Sequence, residues 1–382
     1  MTPEQSIQVM RSRRSAPSGE DYDAAKAEAL FRAWCVKIEP VLAQHDVIDV
    51  EREFSFPLLN PETKAASKSF VEAGKIDAVL REKATGRIKV MEHKTSSEDI
   101  EPGSIYWQRL QMDTQISKYI LALMNMGMQV DTVVYDVAKK PAIRVAQIPL
   151  LDERGKKIVL DQSGNRVRNT TGKKDWRQSA DAERGYVLQT RMETPEEHGE
   201  RLHEKLMENL SGYFAIKEVP RLDTDLLEYM QDAWAQSQQI LYWRRQALWP
   251  RNPSACHAFG SCEFFELCTG RASVDGVRYR AKEKRHSEID GAQEVAGMQL
   301  LTNSRLGALR KCARLHALRY EDCVESTEDK GEPLRVGSLF HECVETYLRS
   351  LWRETAVAEK ASHLGGSNPR PSPDPDPALG LF

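Results

Sequence analysis

Residues 74–94 read GKIDAVLREKATGRIKVMEHK, two runs of strand length in which apolar and polar residues alternate around an Ala-Thr-Gly turn. Period-two alternation about a short turn predicts an antiparallel hairpin with one face laid on a core. The flanking segments narrow the fold further. DYDAAKAEALFRAWCVKIEPVL (residues 21–42) has helical apolar spacing as far as Pro40, and VIDVEREFSFPLL alternates as a strand. After the hairpin, SIYWQRLQMDTQISKYILALMNMG predicts one long amphipathic helix stopped at Gly127, and QVDTVVYDVA predicts a further strand. Helix, three strands, helix, strand is an α/β layer order: a mixed sheet flanked by helices, with an antiparallel hairpin inside it.

At 382 residues, with 40% hydrophobic and 29% charged side chains, the chain has enough apolar material for one large core or two moderate ones. The net charge of −3 excludes a global basic field, so any nucleic-acid contact must be local. RSRR (11–14), GKKDWR (172–177) and RYRAKEKR (278–285) are local basic clusters, and each alone reads as a solvated face. No apolar run approaches the roughly 18 residues of a membrane span, and the first residues lack an apolar signal core, which predicts a cytoplasmic protein with no membrane contact. Further on, residues 145–170 predict a hairpin with turns at ERG and QSGN. Residues 195–249 read as helical, broken at EVPR, with Thr194 as N-cap.

In an alternating strand Glu92 and Lys94 share a face, with His93 on the other, and Asp77 on the paired strand reaches the Glu92 face if the register allows. Two acids and an ammonium at a strand end suit a divalent cation with a lysine beside the attacking water. The plainer reading is an exposed charge pair of little energy. In QISKY, Gln115 and Tyr119 stand at i and i+4, so an amide and a phenol leave one helix face. The bare spacing of Cys256, Cys262 and Cys268, five residues between each, is poor for structural zinc and leaves an iron–sulfur cluster or three buried thiols open.

Taken together, GKID, EHK and QISKY resemble the PD-(D/E)xK nuclease superfamily, and within it the RecB-like branch. The resemblance implies a restriction-endonuclease-like core and a metal-dependent DNA exonuclease. Asp77 and Glu92 would hold Mg²⁺ or Mn²⁺, with the His93 carbonyl contributing. Lys94 would assist the water, and Gln115 and Tyr119 would lie beside the substrate backbone. Some RecB-like nucleases, such as AddB and the CRISPR-adaptation exonucleases, carry a [4Fe-4S] cluster on three downstream cysteines and one distant one. The trio here departs from their first gap of two residues. Its surroundings look like phage and prophage members.

The family's usual opening, a cysteine-bearing helix and then a G-x-x-x-H helix, is absent before Asp77. It stands instead at the other end, as Ser304, Leu306 and Cys312 in one segment and Gly337 and His341 in another. The resemblance therefore implies either a circular permutation, with His341 as a further metal ligand and Cys312 as the fourth cluster ligand, or a second copy cut short. Permutation is the favoured reading. The expected organisation is a flexible 1–20, a nuclease core with its cysteine part over 21–269, and a linker over 270–297. Opening helices would complete the domain over 298–355, with a disordered tail at 356–382. A silent DNA-binding recombination subunit and a restriction-type endonuclease are the alternatives. A helicase or a single-strand annealing protein is the partner that such an exonuclease implies.

Overall fold

The protein is described by a computed structural model covering residues 1–13, 21–167, 185–258, 260–328 and 331–365. Helix α1 (Pro3–Ser12) and helix α2 (Tyr22–Gln44) precede strands β1 (His45–Leu59), β2 (Ala66–Glu82) and β3 (Ile88–Ser96). Two helices, α3 (Ile105–Leu110) and α4 (Thr114–Asn125), lead to β4 (Val130–Lys139). Then come α5 (Pro195–Glu208), β5 (Phe214–Val219), α6 (Asp223–Gln246), β6 (Glu294–Val295), β7 (Met298–Leu301), α7 (Asn303–Lys311) and α8 (Glu332–Gly365).

Among the described residues these strands make one seven-stranded mixed sheet. β2 is antiparallel to β1 and β3, β4 is parallel to β3, and β5 is antiparallel to β4. β3 pairs only with residues 78–81 of β2, and β7 runs parallel along residues 70–72 of the same strand. Because β1 occupies the other edge throughout, β7 completes the edge that β3 leaves bare.

Period-two alternation sends side chains to two cores. Val79, Val90, Val133 and Tyr135 pack beneath α3, α4, α6 and α7, whereas Leu80, Met91 and Val134 pack beneath α1, α2, α5 and α8. The sheet is therefore covered on both faces, the condition for its long apolar runs. The start of α8 comes close enough to β3 that a Cβ on Gly337 would lie 3.0 Å from Thr95 Oγ1.

Several expectations change. The predicted helix over 104–127 is two helices, because the Asp113 side chain caps α4 through the Gln115 N–H, and Arg221 donates to the carbonyls of Leu110 and Asp113 at 2.9 Å. FAIKEV, read as helix, is strand β5, and residues 298–301 of the following helix-like segment are strand β7. α2 continues through Pro40 to Gln44. Within the start expected as flexible, Thr2 and Gln5 form a capping box and α1 buries Ile7 and Met10, while residues 14–20 lie outside the described residues. The stretch expected as a surface linker buries His286 and Ile289, and Tyr279–Ala281 pairs with Val324–Ser326. α8 runs on to Gly365, past the expected start of the tail, and residues 366–382 lie outside the described residues, as do GKKDWR and Arg14. No helix among the described residues is long and apolar enough to cross a membrane.

Candidate functional site

The site begins where the hairpin bends. Ile76 belongs to the core under α4, yet Ala78 and Leu80 belong to the opposite one, so β2 changes faces across Asp77. Across from Asp77, bracketed by the pairs Val50 with Ala78 and Arg52 with Ile76, Glu51 holds a left-handed backbone with φ of 54°. That conformation costs an L-residue about 1–2 kcal/mol, which the flanking pairs must hold in place. Gly74 has a steric role nearby. A Cβ there would lie 2.7 Å from the Phe54 ring, and Phe54 meets the Tyr119 ring edge-on at 5.8 Å. The glycine of GKID thus seats the aromatic ring that seats Tyr119.

The expected face-sharing holds. Lys94 Nζ donates to Glu92 Oε1 at 2.9 Å and to Gln115 Oε1 at 3.3 Å. Gln115 Nε2 donates in turn to Tyr119 Oη at 2.6 Å. His93 faces the other core, where its Nδ1 lies 2.8 Å from Asp136 Oδ2, an oxygen that also accepts the Trp34 indole N–H at 2.5 Å. The His93 backbone N–H donates to Asp77 Oδ2 at 2.9 Å, which fixes the first acid against the second strand.

Electrostatics single out Glu92. Burial first, and the Asp77 charge second, push its carboxyl up to about 8, against the pull of Lys94. Its Oε2 is buried with no hydrogen-bond partner. Burial acts to lower the Lys94 pKa, but the Glu92 and Asp113 carboxylates outweigh it and the pKa lies above the usual value. Burial, with Glu92 and Asp77, raises the Tyr119 phenol well above the usual range, so it stays a neutral hydrogen-bonding group. A crowded pair of acids with an orphaned oxygen is the arrangement that a hard divalent cation relieves, so Asp77 and Glu92 fit Mg²⁺ or Mn²⁺.

The wider ligand set is not assembled. Among the described residues no three His, Cys, Asp or Glu side chains are gathered as a metal site. Burial lowers the His341 pKa overall, against the pull of the Asp77 charge. His341 lines a cleft of about 420 Å³ together with Glu51, Thr95, Lys140 and Glu345. Lys75 donates to Glu51, with Nζ 2.6 Å from Oε2. Burial raises the Glu51 pKa against that pull, with Asp77 and Glu345 adding to the rise.

Cys262 and Cys312 pack against one small core with Phe264, Tyr279 and Leu315. The Asn252 N–H donates to Cys312 Sγ at 3.3 Å, and the Cys262 N–H to the Cys256 carbonyl at 2.8 Å. The Cys268 N–H donates to the carbonyl of Phe264 at 2.8 Å. The two cysteine-bearing segments therefore meet, but the expected four-thiol ligand set is not formed in this arrangement. Cys35 on α2 and Cys343 on α8 belong to a different core, and burial pushes both thiols up to about 12. In RYRAKEKR, Arg280 pairs with Glu325 at 2.7 Å and Arg278 with Glu266, so that cluster is a laced surface.

Sequence reasoning missed Glu51, Asp113, Asp136 and Asn303. Asp113 was open to discovery, since an Asp just before TQISKY is an N-cap signal. The Asn303 Nδ2 donates to Gln115 Oε1 at 3.5 Å, a contact between parts of the chain far apart in sequence. Nothing local marks it.

Residues 301–370 match the PD-(D/E)XK nuclease superfamily. The mixed sheet flanked by helices is compatible with the restriction-endonuclease-like fold of that superfamily. The match suggests metal-dependent nuclease activity, for which Mg²⁺ or Mn²⁺ is the usual ion and DNA the implied substrate. No curated protein matches. Among solved structures, the crystal structure of SSO0001 aligns at 16% identity over 36% of this chain and 70% of its own, with a TM-score of 0.18.

Proposed function

We propose that this chain is a RecB-like exonuclease that hydrolyses phosphodiester bonds at DNA ends with Mg²⁺ or Mn²⁺. One observation carries the reading. Lys94 is held by Glu92 and Gln115, the charge of a second acid, Asp77, bears on Glu92, and the buried Glu92 Oε2 stays without a partner. Asp77 and Glu92 would hold the ion, with the His93 carbonyl and His341 as further ligands. The ion, when bound, supplies charge stabilisation at the phosphate and a more acidic water. Lys94 keeps its proton and orients the attacking water. Gln115 fixes the lysine and, with the neutral Tyr119 phenol, offers hydrogen bonds to the phosphate backbone.

The rotated order belongs to the same proposal. β7 fills the bare edge of β2, and α8 covers the sheet face opposite α4. Both features support a permuted single domain, with residues 298–355 integral to it. A [4Fe-4S] cluster on Cys256, Cys262, Cys268 and Cys312 would staple the segments that already meet around Phe264. A cytoplasmic phage or prophage setting, in DNA recombination or repair beside a helicase or an annealing protein, completes the reading.

The test is digestion of end-labelled linear and closed circular DNA with Mn²⁺ present. Linear DNA should be degraded from its ends and circular DNA spared. Asp77→Asn, Glu92→Gln and Lys94→Met should each slow digestion on the order of a hundredfold or more with the fold retained. Wild-type rates in all three would remove the site assignment, and efficient cutting of circles would make the enzyme a restriction-type endonuclease.

A further inference from the structure

We infer that Asp113 is a positioning residue that shares Lys94 with Glu92, so the lysine keeps a carboxylate partner when a divalent cation engages Glu92. The inference rests on the reading of Asp77 and Glu92 as the cation site. The two oxygens of Asp113 have separate tasks. Oδ1 accepts the Gln115 N–H at 3.0 Å, which caps α4, and Oδ2 lies 3.3 Å from Lys94 Nζ. The Tyr135 hydroxyl is shared between the Leu110 carbonyl at 3.2 Å and that same Oδ2 at 3.4 Å. The carboxylate is thus aimed at the lysine by its cap and by a buried phenol. The turn beneath it is held by Arg221, which donates to the Asp113 carbonyl at 2.9 Å. Lys94 and Asp113 are both largely sheltered, with side chains 21% and 17% exposed, so their attraction is little screened by water.

Without Asp113, Lys94 and a cation would compete for one carboxylate. The ammonium already donates to Glu92 Oε1 at 2.9 Å, and a dication on Glu92 would put like charges side by side in a sheltered site. The lysine would then either leave or weaken the ion. With Asp113 already in place, the ammonium shifts its pairing from one acid to the other. It needs no movement of α4 and keeps its bond to Gln115.

A simple helix cap makes a different forecast, because asparagine caps a helix about as well as aspartate. Asp113→Asn therefore removes the charge and keeps the cap. The measurement is Mn²⁺ binding to the full chain, followed by the electron paramagnetic resonance of free Mn²⁺. The four proteins are wild type, Asp113→Asn, Lys94→Met and the double variant, with thermal melts as a fold control. Asp113→Asn should weaken Mn²⁺ binding about tenfold in the wild-type background, as expected for a close, sheltered charge pair, and about twofold or less beside Lys94→Met. Unchanged Mn²⁺ affinity in Asp113→Asn, or an equal loss in both backgrounds, would overturn the inference and leave the cation site standing. A wild-type chain that binds no Mn²⁺ would overturn both.

Discussion

Removing the chain from residue 291 onward deletes β6, β7, α7 and α8, and the remainder should not fold. Val336, Phe340, Cys343, Val344 and Leu348 of α8 are buried in the core shared with α2, and Leu301, Leu306 and Leu309 in the core shared with α4. Burying an apolar side chain of this kind contributes about 1.5–3 kcal/mol. Eight of them lost together amount to about 12–24 kcal/mol of gross burial, as much as or more than the about 5–15 kcal/mol of net stability that a domain has. Their partners, among them Phe31, Trp34 and Phe70, would face water as well. A chain of residues 1–290 should therefore be insoluble or open to rapid proteolysis. Phe340→Ala offers a graded version, since Phe340 is 1% exposed and its ring lies edge-on to Trp34 at 6.3 Å. The truncated side chain should cost about 3–5 kcal/mol, read as a lower urea midpoint with an unchanged slope. A soluble 1–290 chain that melts cooperatively and digests DNA would refute the claim that the C-terminal helices complete the domain.

Other consequences are more local. Lys118, fully buried, donates to the Leu301 carbonyl at 2.6 Å and pairs with Glu72 at 2.8 Å, so Lys118→Met should destabilise by about 3–5 kcal/mol in urea unfolding. Adding Glu72→Met should restore part of that loss, and a doubly worse double variant would show that the charge pair is not the cause. Burial first, then Arg305, holds the His316 pKa down to about 3, so the folded chain refuses a proton that the unfolded chain takes below about 6.5. Stability should accordingly fall as pH drops from about 6.5 toward 3, and His316→Gln should flatten that slope in urea midpoints taken between pH 7 and 5. Identical slopes would discard the assignment. If the cysteine segments hold a cluster, protein purified without oxygen should be brown and contain iron and acid-labile sulfide, and serine at Cys256, Cys262, Cys268 or Cys312 should bleach it. Colourless protein with stoichiometric zinc would replace the cluster by a zinc site.

What could be read from the sequence was what neighbours along the chain decide. Alternation in the hairpin placed Glu92 and Lys94 on one face, and the i, i+4 spacing brought the Gln115 amide within 2.6 Å of the Tyr119 hydroxyl. The features missed depend on partners far away in sequence. FAIKEV is a strand because β4 presents an open edge to it, and residues 298–301 are a strand because β3 leaves part of β2 unpaired. Neither edge is visible from the segment itself, and intrinsic preference yields to the available pairing. The break before Thr114 has the same origin, since Arg221 supplies the donors that let α3 stop and α4 begin.

That dependence bears on how the site is held. Gln115 meets Lys94 only because α4 starts at Thr114, and α4 starts there through Asp113 and Arg221. The same helix is tied to the C-terminal segment by Lys118 to Leu301, by the Thr114 hydroxyl to Asn303 and by the Asn303 amide to Gln115. Residues 301–303 thus touch the helix that orients the candidate catalytic lysine, and they open the segment that matches the nuclease superfamily. Chain order and spatial order therefore differ in this protein. The hairpin strands that carry the acids and lysine come early in the chain, yet the strand completing the β2 edge, β7, comes late.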